Sequence, residues 1–272
     1  MGMNPRLLRP ILSGDTDALR YIAAVQAADQ QSLEPAVRKA ITDFVVGCKA
    51  DGIWSAIKAS CILMGARTLS GALTPLAGTA PTNVNFVSGD YNRKTGLVGN
   101  ASNKYLNTNR AGNADPQDSF HASVFGNTLD SGNNSNVFPT WMGTFNDSGG
   151  TVRTVQLFYP GSLLGYFFNA RTGSTASSWV TALDTLDDFV GVSRSASNAV
   201  VGRAKSTNNS FSPTSVVPNA NNIFVFAANV NGSANLYSAA RLAFYSIGEN
   251  LTLSLLDSRV TTLYNAIGTA IP

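Results

Sequence analysis

The chain has 272 residues, 44% of them hydrophobic, enough for one large β domain plus a small helical piece and too many for a disordered chain. Only 13% are charged, and the net charge of +3 comes from scattered basic residues rather than a Lys/Arg run or a basic stripe interleaved with aromatics. This excludes a nucleic-acid footprint, and no apolar run reaches the ~18–20 residues that span a bilayer.

Residues 1–12, with Pro5 and Pro10 bracketing two leucines and two arginines, predict an extended arm. No apolar segment follows these arginines, so a secretory signal is not expected. Asp15 or Thr16 caps a predicted helix over 17–30, with Leu19, Ile22, Ala23 and Gln26 on one face. Ser32 caps a second helix with Glu34 and Pro35 in its first turn, and Val37, Ile41, Phe44 and Val45 give it an apolar stripe. Asp51 opens a short third helix through Trp54, Ile57 and Lys58. Three helices of this size bury little among themselves, so they must pack on the β domain or on other copies, and residues 1–60 are expected to serve as a docking and oligomerisation segment. The rest, 61–272, is expected to fold by itself.

Near Pro75 the pattern changes. Of 26 Asn residues, 23 lie between Asn83 and Asn235, among short apolar runs broken by Gly, Ser and Thr, which is the pattern of strands and turns. Strands are predicted at 61–64 and 83–87 and around 95–98, 103–107, 119–126, 152–159, 163–169, 189–194, 198–203, 222–230 and 235–246. Asn231-Gly232 is the strongest hairpin signal, since a type I′ turn needs positive φ at both positions. Ile223-Phe-Val-Phe-Ala-Ala228 is apolar on both faces and reads as a central strand. Ten to twelve such strands fit a mainly β, two-sheet jelly roll. A closing helix over 251–268 presents Leu253, Leu256, Val260, Leu263 and Ile267 on one face.

Residue types that perform chemistry are scarce. Cys48 and Cys61 sit in apolar surroundings and are expected to be buried free thiols. Sequons such as those at Asn100 and Asn231 read as chance matches in so Asn-rich a chain. His121 lies in Ser119-Phe-His-Ala-Ser-Val124, opposite the apolar face, and is expected to be half-exposed. With no second histidine and no Gly-x-Ser-x-Gly elbow, a triad is not expected. Asp184, Asp187 and Asp188 offer calcium-type oxygen ligands, but the same segment reads as a solvated acidic turn, so neither metal nor cofactor is expected. No acid is embedded in an apolar strand, which argues against a pair of catalytic carboxylates. Trp141, Trp179, Arg171 and Tyr166, with the many Asn amides, are instead what a saccharide site uses, flat rings for stacking and amides for paired hydrogen bonds. Trp141, beside loop residues, is expected to be more exposed than the others, and Trp179 follows a predicted loop over 173–178.

Three stretches carry a resemblance. They are Gly52-Ile-Trp-Ser-Ala-Ile-Lys-Ala-Ser-Cys-Ile-Leu-Met64, the run from Leu76 to Phe86, and Tyr91-Asn-Arg-Lys-Thr-Gly-Leu-Val-Gly-Asn-Ala-Ser-Asn-Lys-Tyr-Leu-Asn-Thr-Asn109. Together with Arg241-Leu-Ala-Phe-Tyr-Ser-Ile-Gly248 and the helix after it, they resemble concanavalin-like (laminin-G-like) jelly rolls of tailed-bacteriophage virion proteins. The likeness spans about 50–270 and departs at Gly99-Asn-Ala-Ser-Asn-Lys-Tyr-Leu106, where the family carries a compact Gly-Ser pair. It implies a homo-oligomeric virion protein of tail or capsid, assembled in the host cytoplasm with other virion proteins, and it transfers no catalytic residue. The expected function is a jelly roll that binds host cell-surface glycan. A purely structural decoration protein and a glycan depolymerase stand as alternatives.

Overall fold

The computed structural model describes residues 14–128, 139–146, 152–158, 165–173, 177–180 and 188–272, with backbone alone at 127–128, 152–158, 165–167 and 177–180. Two helices, α1 (Thr16–Asp29) and α2 (Pro35–Ala50), lead into β1 (Ile57–Ile62) and the single turn α3 (Leu69–Ala72). Then come β2 (Thr82–Val84), β3 (Tyr91–Asn92), β4 (Gly96–Val98), β5 (Tyr105–Ala111), β6 (Phe120–Thr128) and β7 (Thr140–Asn146). They are followed by β8 (Val152–Phe158), β9 (Gly165–Thr172), β10 (Ser177–Val180), β11 (Asp188–Ala196), β12 (Ala199–Ala204) and β13 (Thr207–Phe211). The chain ends with β14 (Asn222–Val225), β15 (Ala228–Val230), β16 (Ser233–Asn235), β17 (Arg241–Gly248) and α4 (Leu253–Ala270). No described helix is long and apolar enough to cross a membrane.

The strands form two sheets. The first runs β13-β12-β11-β6-β17-β4-β3, with β1 also on β17; the second runs β10-β9-β8-β7-β14-β5-β2, with the β15–β16 hairpin joined through β7. Alternation along the strands divides the apolar residues between two cores. Phe120, Ala122 and Val124 of β6 point between the sheets with Leu106, Phe168, Val225 and Tyr245. Phe125, Phe189 and Phe244 point the other way, out of the first sheet, and are covered by helices. The result is a two-sheet sandwich with a third, helical layer.

The α2 stripe belongs to that layer. Val37, Ile41, Phe44 and Val45 are all buried in one cluster with Leu256, Val260, Leu263 and Ile267 of α4, and the Phe44 ring stands edge-on to Phe244 at 5.7 Å. The face that the sequence offers for docking is therefore covered within the chain. Ion pairs pin the layer down: Asp51 to Arg259 at 2.7 Å and Arg203 to the buried Asp257 at 2.7 Å. Asp29, at the end of α1, accepts from the Arg67 and Thr68 amides and the Thr68 hydroxyl at 2.7–2.8 Å, tying α1 to the loop before α3.

Several predicted elements are corrected. The expected third helix is only a 3-10 turn at Trp54–Ala56, after which β1 begins, so a boundary between residues 60 and 61 cuts through a strand. Residues 140–146, where no strand is predicted, form β7. The expected single strand over 222–230 breaks at Phe226, whose φ of 69° is in the left-handed region. Its amide donates to the Trp141 carbonyl (2.8 Å) and its carbonyl accepts from Ser238 (2.9 Å), which carries the ring into the inter-sheet core. Cys48 and Cys61 are free and buried, as expected, and burial pushes both thiols up to about 12.

Candidate functional site

A cleft of about 460 Å³ opens where the helical layer meets the first sheet. The turn after α2 supplies Asp51 and Ile53, β11 supplies Ser193 and Ser195, and the β12–β13 hairpin supplies Val201 and Asn208. The segment before α4 adds Asn250 through Leu253. Register explains the convergence. Gly248, His121, Ser193, Val201 and Ser210 stand opposite one another across β17, β6, β11, β12 and β13, making a row on the helix-facing side. Ser193 and Val201 of this row line the cleft.

Hydrogen bonds fix the lining. Arg203 Nη1 donates to Asn208 Oδ1 at 2.8 Å, while its Nε is held by Asp257. The Ser119 hydroxyl donates to Asn250 Oδ1 at 2.7 Å, and the Leu251 amide donates to Ser193 Oγ at 3.3 Å. Asp51 is gripped by Arg259 through two bonds, 2.7 and 2.9 Å, and this pairing holds its carboxyl below the usual range. Hydroxyls and amides dominate, with one neutralised carboxylate and an apolar floor, a set suited to a neutral hydroxylated ligand.

Behind the row lies His121, fully buried rather than half-exposed. One ring nitrogen, Nδ1, is 2.6 Å from the Glu249 carbonyl, and the other, Nε2, is 2.7 Å from Ser246 Oγ. The carbonyl can only accept, so Nδ1 carries the proton and Nε2 accepts from the hydroxyl. Burial pulls this histidine down to about 4, which keeps the ring neutral. It fastens β6 to the loop before α4.

Neither Trp141 nor Arg171, two of the four residues proposed from sequence, lines this cleft. Trp141 lies in β7 and is wholly buried between the sheets, because Thr140 to Phe145 form a ladder strand and not a loop. Arg171 is also fully buried, at positive φ near the end of β9. It donates to the Pro116 and Gly112 carbonyls and stacks over Phe120 at 4.5 Å, and burial lowers it to about 10. Trp179 and Tyr166 stand opposite each other in the β10–β9 register, and their side chains lie outside the described residues.

The Asn amides also differ from the sequence reading. Asn92 Oδ1 accepts from the Lys94 and Thr95 amides, and Asn100 Oδ1 from those of Ser102, Asn103 and Lys104. Asn83 and Phe86 bond in both directions at 3.0 Å. These are side-chain turns that build loops, which accounts for much of the Asn richness without a ligand.

Of the acidic trio, Asp184 and Asp187 lie outside the described residues. Asp188, at the start of β11, accepts from the Lys205 amide, and burial pushes its carboxyl up to about 6. Among the described residues no group of three or more His, Cys, Asp or Glu is placed to hold a metal. Sequence reasoning missed Ser193, Ser195, Asn208 and Asn250. The alternation in Val190-Gly-Val-Ser-Arg-Ser195, which sets Ser193 and Ser195 on the face opposite Val190 and Val192, was the available signal.

No protein-family model matches the chain, and no curated protein matches it. Its fold is similar to that of a Trypanosoma rangeli sialidase mutant displaying trans-sialidase activity, with a TM-score of 0.53, 11% identity and coverage of 92% of this chain and 38% of that one. It is also similar to the Trypanosoma rangeli sialidase in complex with 2,3-difluorosialic acid, at 0.52, 9%, 93% and 39% respectively. At such identities the likeness is one of fold, and this chain spans less than two-fifths of either protein. Fold and site together define a mainly β, two-sheet sandwich, layered with its own helices and carrying a polar cleft at their seam.

Proposed function

We propose that this chain is a glycan-binding sandwich borne on the tail or capsid surface of a tailed-phage virion, with no catalytic role. The observation that carries the binding reading is the cleft, in which neutral hydroxyl and amide groups surround an apolar floor. The fold likeness supports it, since the similar chains are sialidases, which act on glycans. The virion reading rests on the phage-like segments, which in the fold supply β1, β2 to β5 and β17, a connected part of both sheets. Many copies on one particle would turn weak single sites into firm attachment. The non-catalytic reading is supported by the cleft's acids: among the described lining residues Asp51 alone is acidic, it is paired with Arg259, and glycoside cleavage ordinarily takes two carboxyl groups.

The test is retention of purified protein on immobilised host surface polysaccharide, with an assay for new reducing ends and gold labelling of intact particles. Retention without cleavage, weakened by Asn208→Ala, with label on the particle, is the expected result. Release of oligosaccharide would replace this reading with a depolymerase. No retention, with the label still on the particle, would leave a purely structural decoration protein.

A further inference from the structure

We infer that the cleft selects an uncharged saccharide and rejects an acidic one, an inference that rests on the glycan-binding reading above. It follows from the direction in which each polar group is already committed. Asn208 uses Oδ1 to accept from Arg203, and Asn250 uses Oδ1 to accept from Ser119, so both amides offer their NH₂ donors to the cleft. Across from them, Asp51 keeps acceptor capacity beyond its two bonds from Arg259, because an ionised carboxylate has about four lone-pair positions. The Ser195 hydroxyl, exposed on the rim, both donates and accepts. Donors on one side and acceptors on the other match sugar hydroxyls, each of which accepts and donates at once.

An acidic sugar meets the opposite situation. Among the described residues, no Lys or Arg lines the cleft. The two guanidiniums beside it are bound to carboxylates, Arg259 to Asp51 and Arg203 to Asp257, and nearby Lys58 pairs with Glu249 at 2.9 Å. A ligand carboxylate would enter without a free cation to pair with. The site is thus the reverse of one built for sialic acid, despite the fold it shares with sialidases.

The experiment titrates the full chain with two sets of probes, at low and at high salt. One set contains neutral oligosaccharides of glucose, galactose, mannose and N-acetylglucosamine; the other contains sialyllactose and oligogalacturonate. A neutral probe is expected to bind with little change between the two salt conditions. Asn208→Ala, at an exposed position, is expected to weaken it about tenfold, the worth of one good hydrogen bond. Asp51→Asn is expected to weaken it as well, while releasing Arg259 and so admitting sialyllactose. Binding of an acidic probe by the unaltered chain, weakened by Asn208→Ala, would overturn the selectivity and leave the glycan reading intact. Neutral binding unmoved by both substitutions would overturn the assignment to this cleft. Failure of every probe would remove the glycan reading itself.

Discussion

His121 shows at the residue scale how burial turns a reactive side chain into a structural one. Its folded value of about 4, against an ordinary 6.5, means that the unfolded chain binds this proton more readily. Stability attributable to His121 is therefore complete above about pH 6.5 and falls as pH drops toward 4, by on the order of 3 kcal/mol. Asp188 has the opposite sign: its folded value of about 6 lies above 3.8, so its contribution is greatest in acid and is lost as pH rises through 6. Melting curves at about pH 7 and about pH 4.5, for the unaltered chain and for His121→Asn, separate the two. The unaltered chain should lose more on acidification than the variant, and equal losses would mean that the ring titrates freely. Arg194 makes the same point with a charge. It is fully buried and donates to the carbonyls of Ala170, Ala196, Ser197 and Pro213 at 2.8–3.1 Å, which fastens β9, the β11–β12 turn and the segment after β13 to one side chain. Lysine has neither the planar fork nor the number of donors, so Arg194→Lys should cost about 2–4 kcal/mol in denaturant unfolding. A midpoint unchanged by this substitution would mean that water serves those carbonyls equally well.

Turns and strands are the next scale, and there glycine geometry gives the sharpest expectations. Asn231 and Gly232 have φ of 52° and 93° between β15 and β16, as a type I′ turn requires, and Asn229 Oδ1 accepts from the Gly232 amide. Nothing lies within 4 Å of a Cβ added at Gly232, so Gly232→Val should cost only the backbone term, about 1–3 kcal/mol. Gly96 has φ of 96° and also lies under β17, where an added Cβ would come within 2.1 Å of the Leu242 carbonyl oxygen. Gly96→Ala should therefore destabilise more than Gly232→Val although the side chain is smaller, and the reverse order in thermal melts would count against this account. The turn was readable in sequence because its chemistry is local, and so were the spans of α1, α2 and α4. But α1 buries Ala18, Tyr21, Ile22 and Val25 rather than Leu19 and Ala23, and α2 starts after Glu34 without the expected Ser32 cap. β7 was not, since Pro139 precedes it and Trp141 and Met142 both face the inter-sheet core across a register shift, which destroys the alternation. Residues 57–62 were misread at their start because an Asp-Gly turn and a tryptophan suggested a helix where only one 3-10 turn forms. The cleft was hidden for a different reason: its lining comes from residues 51–56, 193–208 and 250–253, which only the sheet register brings together.

At the scale of the whole molecule, the three layers decide how the chain holds together. Read from sequence, the α2 stripe needs cover from the β domain or from other copies, and the sandwich is expected to fold without it. In the fold, Phe44 packs on Phe244, and Val37, Ile41 and Val45 share a core with α4 and the outer face of the first sheet. Fully burying a residue of this kind is worth about 1.5–3 kcal/mol, so four of them approach the net stability of an entire domain, about 5–15 kcal/mol. A chain beginning at Ser60 would also lose the first half of β1, whose register with β17 runs from Ile57 opposite Gly248 to Ile62 opposite Phe244. It would expose Ile62, Met64, Phe244 and one side of α4 together, an apolar surface that soluble monomers do not tolerate. Expressed this way, the fragment should aggregate or bind a hydrophobic dye without a cooperative melt, whereas the full chain should melt in one transition that includes its helices. The same experiment distinguishes the two architectures. A soluble fragment with a sharp melt and normal sheet content would show that the helices are a separable docking segment. Loss of cooperativity would make them the third layer of a single folding unit, and any assembly contact would then have to use surfaces this layer leaves exposed.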